Sequence, residues 1–173
     1  ALLSPSGFAG GMFHLATHAF MKITLFFCAG AVYVSLHREN VSELDGVGKV
    51  MPLTMGAFAV AAAGLSGIPP INGFASKWLL GVGTMENNDM LSLLVLIASG
   101  LFNAAYFFPI VHRAFFRKGV GLEGHREASL LMVIPILITA ALSLLMGVDQ
   151  DLFFSFLRLA DDISNQVIGG AGP

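Results

Sequence analysis

Between positions 8 and 148, short polar patches divide the chain into four apolar blocks, each long enough to cross a lipid bilayer as a helix. They span about 8–36, 51–85, 90–112 and 129–148. A hydrocarbon core about 30 Å thick is crossed by roughly 20 helical residues at 1.5 Å each. Lipid offers peptide groups no hydrogen bonds, so a spanning chain must satisfy them internally, as helices or as a closed barrel. Long apolar runs without a two-residue alternation predict helices, hence an all-α integral membrane protein facing the lipid bilayer.

The second block is the awkward one. As one straight helix its roughly 35 residues would measure about 50 Å, well beyond the hydrocarbon thickness. At its middle stands Gly64-Leu-Ser-Gly67-Ile-Pro69-Pro70-Ile-Asn-Gly73. Two prolines remove two backbone donors and disfavour helix before them. The block therefore reads as a Pro-Pro-interrupted pair of short crossings, about 51–67 and 71–85, which brings the expected total to about five transmembrane helices. With five crossings, Arg113, Arg117, Lys118 and Arg126 share one side and Arg38, Lys49 and Arg158 the other. A single long second crossing would instead put six of these seven basic residues on one side, a sharper positive-inside bias. Length is the harder constraint and favours five.

Residues 1–148 are thus expected to form the bundle and 149–173 a tail. In the tail Phe153, Phe156, Leu157, Ala160 and Ile163 share a helical face opposite Ser155, Arg158 and Asp162, the pattern of a short amphipathic C-terminal helix. The chain opens on Ala-Leu-Leu-Ser-Pro-Ser-Gly, without the basic leader of a signal peptide, and reads as the later part of something longer or as a processed product.

With 12% charged residues, against roughly a quarter in soluble domains, the chain has too little polar surface to face water. A net charge of −2, with no basic tract interleaved with aromatics, argues against nucleic acid as a partner. One cysteine, Cys28, excludes an intrachain disulfide and a multi-cysteine metal or iron–sulfur site, and it reads as a small core residue.

Two charges interrupt the apolar blocks. In the first block His14, His18 and Lys22 are spaced i, i+4, i+8 and form one stripe that climbs about 12 Å along a helix. A mid-membrane ammonium costs several kcal/mol unless hydrated or paired, so such a lysine is able to gain and lose a proton. Histidines, with an intrinsic pKa near 6.5, can relay it. Either histidine alone is equally well explained as a hydrogen-bonded packing residue. A metal site is disfavoured, because a third ligand is not evident and Lys22 would repel a cation. Lys77 lies in the second block just past the break, flanked by Phe74, Ala75, Trp78 and Leu79, surroundings that disfavour snorkelling to water. Broken helices at membrane depth are tolerated where the freed backbone is buried in protein or lines a wet cavity, so Gly67, Pro69, Pro70 and Gly73 themselves point to an ion or proton route. Asn103 and Tyr106 are equally explained by interhelical hydrogen bonds, and Phe107, Phe108, Phe115 and Phe116 read as lipid-facing or interfacial bulk. No Asp or Glu lies within a block, so the counter-charges of Lys22 and Lys77 are expected from another chain or segment.

The string His14-Leu-Ala-Thr-His18-Ala-Phe-Met-Lys22-Ile-Thr-Leu-Phe-Phe-Cys-Ala-Gly30, followed by Gly67-Ile-Pro-Pro-Ile-Asn-Gly-Phe-Ala-Ser-Lys77-Trp, resembles the antiporter-like subunits of respiratory complex I. The same superfamily includes the large subunits of Mrp-type cation/proton antiporters and of membrane-bound hydrogenases. The resemblance implies two inverted repeats, each with a discontinuous helix, of which this chain matches the last five helices. It implies that Lys22 sits where the family's lysine or histidine links the two halves along a hydrated axis, with His14 and His18 in the same stripe. Lys77 then matches the lysine or glutamate of the broken helix, assigned to the terminal proton exchange site. No cofactor is expected.

Three functional expectations follow. The first is a proton-translocating subunit, itself without redox chemistry, of a redox-driven complex of the NADH:quinone oxidoreductase or membrane-bound hydrogenase type. The second is a Na+/H+ antiporter subunit of an Mrp-type assembly, and the third a non-conducting structural half-subunit. Each needs other membrane subunits, including one that supplies the missing first helices and carboxylates. The expected location is a bacterial or archaeal cytoplasmic membrane, or an organellar inner membrane.

Overall fold

The Ser4 hydroxyl accepts from the Gly7 amide and Pro5 takes the first helical position, so the chain enters a helix at once. The computed structural model describes residues 4–124, 127–149, 158–159, 162–163 and 166. Helix α1 runs Pro5–Leu36, a single-turn 3-10 helix Val41–Glu43 follows, then α2 Val47–Val50, α3 Pro52–Ser66, α4 Asn72–Glu86, α5 Met90–Phe116 and α6 Leu130–Val148. No strand occurs among the described residues. The amphipathic helix expected from 149 onward falls largely outside them.

α1, α5 and α6 are each long and apolar enough to cross a membrane alone. α3 and α4 have 15 residues each, about 22 Å, and neither would cross by itself. The Pro-Pro-interrupted pair is present, and with it the five expected apolar helices, but its course differs from two crossings folded back on each other. Cys28 of α1 meets Thr54 of α3, Met21 faces Gly64 and Gly73 at the break, His14 meets Ser76, and Ser4 and Ser6 meet Gly83 and Glu86 at the far end of α4. The pair lies end to end, antiparallel to the whole of α1, and makes one interrupted traverse. Length alone did not decide this, because α1 itself has 32 residues, about 48 Å, and gives the pair a rail of matching length.

This course moves Arg38 and Lys49 to the end that carries Arg113, Arg117 and Lys118. Asp45 bridges Arg113 at 3.2 Å and Arg117 at 3.6 Å, and an Arg38 guanidinium nitrogen donates to the Val120 carbonyl at 2.7 Å. Glu127 closes the same end. α3 starts with Pro52 after Met51, whose side chain caps nothing, and the Glu127 carboxylate accepts from the Leu53 amide at 2.7 Å and the Thr54 hydroxyl at 2.6 Å. An anion at a helix N-terminus is favoured by its free N–H groups and its dipole.

Lipid supplies no hydrophobic drive between helices, so small residues that let backbones approach take that part. A Cβ at Gly83 would overlap Gly7, and one at Gly73 would overlap the Gly64 carbonyl. Gly67 ends α3 in the left-handed region (φ 86°), which glycine adopts without strain. Phe107 is a correction to the sequence expectation. It is buried against Phe58, with ring centroids 5.9 Å apart, because α5 packs on α3 at that point, whereas Phe108 and Phe116 are exposed. Cys28 is buried in the core, as expected, and its Sγ donates to the Thr54 carbonyl at 3.2 Å.

Gly73→Ala is expected to destabilise the bundle by about 1–3 kcal/mol, since the opposing atoms are backbone. Gly11→Ala, which meets nothing within 4 Å, is the matched control and is expected to be neutral. Detergent thermal unfolding of the two variants compares them. The positive-inside rule predicts that the end bearing Lys118 is cytoplasmic. In a Cys28→Ala background, Lys118→Cys should react with an impermeant maleimide from that side only, and Asn87→Cys from the opposite side only.

Candidate functional site

The break in the interrupted traverse frees backbone groups, and their new partners define the site. Gly67 donates to the Ala63 and Gly64 carbonyls and Ile68 donates to Ala63, which closes most of the last turn of α3. The Leu65 carbonyl is then taken up by side chains. Lys77 Nζ donates to it at 2.6 Å from the second turn of α4, and Asn103 Nδ2 donates at 3.1 Å from α5. A freed carbonyl carries partial negative charge, so it is a natural acceptor for an ammonium that has no carboxylate nearby. Asp45 forms ion pairs with Arg113 and Arg117, and neither Lys22 nor Lys77 pairs with a carboxylate among the described residues.

Lys77 is half-buried and borders a cavity of about 550 Å³ between α4 and α5, lined by Phe74, Trp78, Leu96 and Leu101 and by the backbone of the break at Gly67. Gly100 of α5 faces the Ser66 carbonyl and the Lys77 ammonium, leaving α5 room to approach. Asn103 does make an interhelical hydrogen bond, as its sequence setting allowed, but on the acceptor that Lys77 uses. Tyr106 is half exposed, its ring centroid 3.9 Å from that of Phe107.

On the other side of α4, His14 Nδ1 lies 2.8 Å from Ser76 Oγ, and Thr17 Oγ1 donates to the same oxygen at 3.4 Å. Ser76 in turn donates to the Gly73 carbonyl at 3.2 Å. Which of His14 Nδ1 and Ser76 Oγ donates in this pair is set by the tautomer of the ring. The His14 and His18 rings are 5.4 Å apart. Both lie within electrostatic reach of Lys77, and His18 also of Lys22. Lys22 is half-buried farther along the same stripe.

The structure therefore brings His14, His18 and Lys77 together around α4 and places Lys22 next in line through His18. Gly67 and Gly73 bound the break, with Pro69 and Pro70 between them. The residues that sequence reasoning missed are Ser76, Thr17 and the Leu65 carbonyl. Ser76 was detectable in principle, as a polar residue beside Lys77 in an apolar helix. The Leu65 carbonyl was not, because its freedom depends on how the α3 terminus closes.

At the Glu86 end, the Ser6 hydroxyl donates to the carboxylate at 2.6 Å and holds that carboxyl below the usual range. This contact ties the start of α1 to the end of α4, outside the apolar zone, in the same register that sets His14 on Ser76.

Known proteins share the sequence pattern and the fold of this chain. Residues 1–103 match the family described as NADH:quinone oxidoreductase/Mrp antiporter, TM. Subunit N of the NADH-quinone oxidoreductase of Desulforudis audaxviator is 42% identical over 117 residues, 68% of this chain and 23% of the relative. Among solved structures, the Mrp complex from Dietzia sp. superposes with a TM-score of 0.87 at 20% identity, covering 98% of this chain and 39% of that one. Respiratory complex I from Thermus thermophilus with bound NADH gives a TM-score of 0.82 at 22% identity, covering 98% and 36%. The chain thus spans about a quarter of the length of the curated relative it matches. The shared fold extends over α1, the interrupted traverse and the helices beyond it, and the family match covers both motif strings: this chain belongs to the NADH:quinone oxidoreductase/Mrp antiporter transmembrane family.

Proposed function

We propose that this integral membrane chain is the C-terminal part of a proton-translocating subunit in a redox-driven complex of the NADH:quinone oxidoreductase or membrane-bound hydrogenase type. The observation that carries the reading is the Lys77 ammonium on the freed Leu65 carbonyl, with Asn103 on the same oxygen. An ammonium held by a neutral acceptor keeps its charge uncompensated. A change of charge nearby can then shift its proton, which a tight carboxylate pair would resist. Protons move along water, His14, His18 and Lys22, and Lys77 gates exit toward one surface. Electron transfer elsewhere in the complex supplies the drive.

The partners are other membrane subunits, among them the chain or segment that provides the preceding helices and the carboxylates facing Lys22 and Lys77. Residues 1–148 are the conducting bundle and 149–173 a tail. A bacterial or archaeal cytoplasmic membrane is the expected setting.

Sodium/proton exchange in an Mrp-type assembly is the second reading, supported by the likeness to the Dietzia Mrp complex. A sodium site needs several oxygen ligands, carboxylates or unwound carbonyls. Here the Leu65 carbonyl is already engaged by two donors, which favours protons. A non-conducting half-subunit would leave two mid-membrane lysines at a cost without a use.

Lys77→Ala in the assembled complex is expected to lower proton pumping by about tenfold or more. Assembly should survive, because Asn103 still satisfies the Leu65 carbonyl. Normal pumping in a normally assembled variant overturns the assignment, and transport that requires sodium in vesicles transfers it to the second reading.

A further inference from the structure

Several buried polar side chains play no part in the route through Lys77, and they gather on a different seam, between α1, α4 and α6. His14 is where two stripes of α1 part. At about 100° per residue, His18 and Lys22 drift to one side of His14 while Thr17 and Thr24 drift to the other. Thr17, Thr24, Ser76 and Ser143 are all fully buried. At one level Ser76 joins His14 and Thr17. About 10 Å along α1, Thr24 Oγ1 donates to Thr139 Oγ1 of α6 at 2.8 Å. Ser143, one turn beyond Thr139, donates to its carbonyl at 3.0 Å.

Between these two levels lies Asn72. It is fully buried, and neither Oδ1 nor Nδ2 has a hydrogen-bond partner among the described residues. Its position follows from its neighbours. Gly73, next to it, faces Met21, which lies between Thr17 and Thr24 on α1. Ser76 is one turn along α4. Gly147 of α6 is pressed against the Asn72 backbone, which puts Ser143, one turn back from Gly147, on the approach to the same place. An unpaired buried amide costs about 1–3 kcal/mol, and a protein interior offers it few remedies other than water. A buried water needs two to four polar partners, and the three elements that meet at Asn72 carry buried hydroxyls within a turn of the contact, Thr17 on α1, Ser76 on α4 and Ser143 on α6.

We propose that Asn72 is a buried water-binding site, and that its water joins the His14–Ser76 pair to the Thr24–Thr139 pair as a second hydrogen-bonded branch out of His14. The site stands independently, while its use as a proton branch rests on the proton-translocating reading above. No group in the branch beyond His14 titrates near neutral pH. A proton that enters at one oxygen therefore displaces one at the next, and the hydroxyls turn back afterwards with no charge left behind. The branch lies against α6, whereas the Lys77 cavity lies against α5, so the two can be separated by mutation.

The test uses the complete membrane complex that contains this chain. A map resolving waters should show density within hydrogen-bond distance of the Asn72 amide, lost in Asn72→Leu, which keeps the shape without the polar atoms. Proton translocation in vesicles should fall about tenfold in Asn72→Leu and recover substantially in Asn72→Ser. Should Asn72→Leu fail to assemble, Thr139→Val removes the partner of Thr24 at nearly constant shape and is expected to show the same loss. Absence of water density at Asn72 in the native complex overturns the site. Water density with undiminished translocation in an assembled Asn72→Leu or Thr139→Val variant overturns the branch. Lys77→Ala, which leaves Asn72 untouched, reports separately on the proton-translocating reading.

Discussion

A peptide carbonyl freed inside an apolar medium must find a donor, and this requirement organises the chain. The prolines at 69 and 70 deprive the interrupted traverse of two backbone donors. Gly67 and Ile68 repair part of the loss locally, and the Leu65 carbonyl is left to Lys77 and Asn103. That single oxygen links α3, α4 and α5. It gives a lysine that would otherwise be costly at this depth a neutral partner, and it fixes where the ammonium sits relative to the histidines on α1.

Close backbone approach is the second requirement, and it follows from the first. For His14 to reach Ser76 and for α5 to reach the break, helices must come nearer than ordinary side chains allow. Gly7, Gly10, Gly73, Gly83 and Gly100 occupy those contacts. The polar ends then hold the register. Ser6 with Glu86 ties one end, and Asp45 with Arg113 and Glu127 with the start of α3 tie the other. Surface contacts of this kind contribute little energy each. They join different elements: α1 to the end of α4 through Ser6 and Glu86, the loop before α2 to α5 through Asp45 and Arg113, and the segment before α6 to the start of α3 through Glu127.

Much of the fold was legible in residue order because lipid leaves few options. Four apolar blocks mean helices, two prolines mean an interruption, and i, i+4, i+8 spacing means that His14, His18 and Lys22 share a stripe. These inferences need only the geometry of one helix. The expectations that needed a neighbour fared differently. Phe107 read as lipid-facing because its own helix is apolar all round, and only the approach of α3 buries it. The course of α3 and α4 was read from bilayer thickness, while α1, which is equally long, supplies the surface along which both halves lie.

Residue order alone determined that this chain lives in a membrane as helices, that one of its traverses is broken near the middle, and that titratable side chains stand at that depth. Each of these depends on local rules: peptide groups must be satisfied in lipid, proline lacks an N–H, and charge is expensive in hydrocarbon. Tertiary structure alone decided which acceptor Lys77 uses, that Asn103 shares it, that Ser76 rather than a carboxylate meets His14, and that the Asn72 amide has no partner among the described residues. The physical reason is that a hydrogen bond between helices depends on their relative height and rotation. Those are set by the glycine contacts and polar end ties of all the helices together, which no single segment contains.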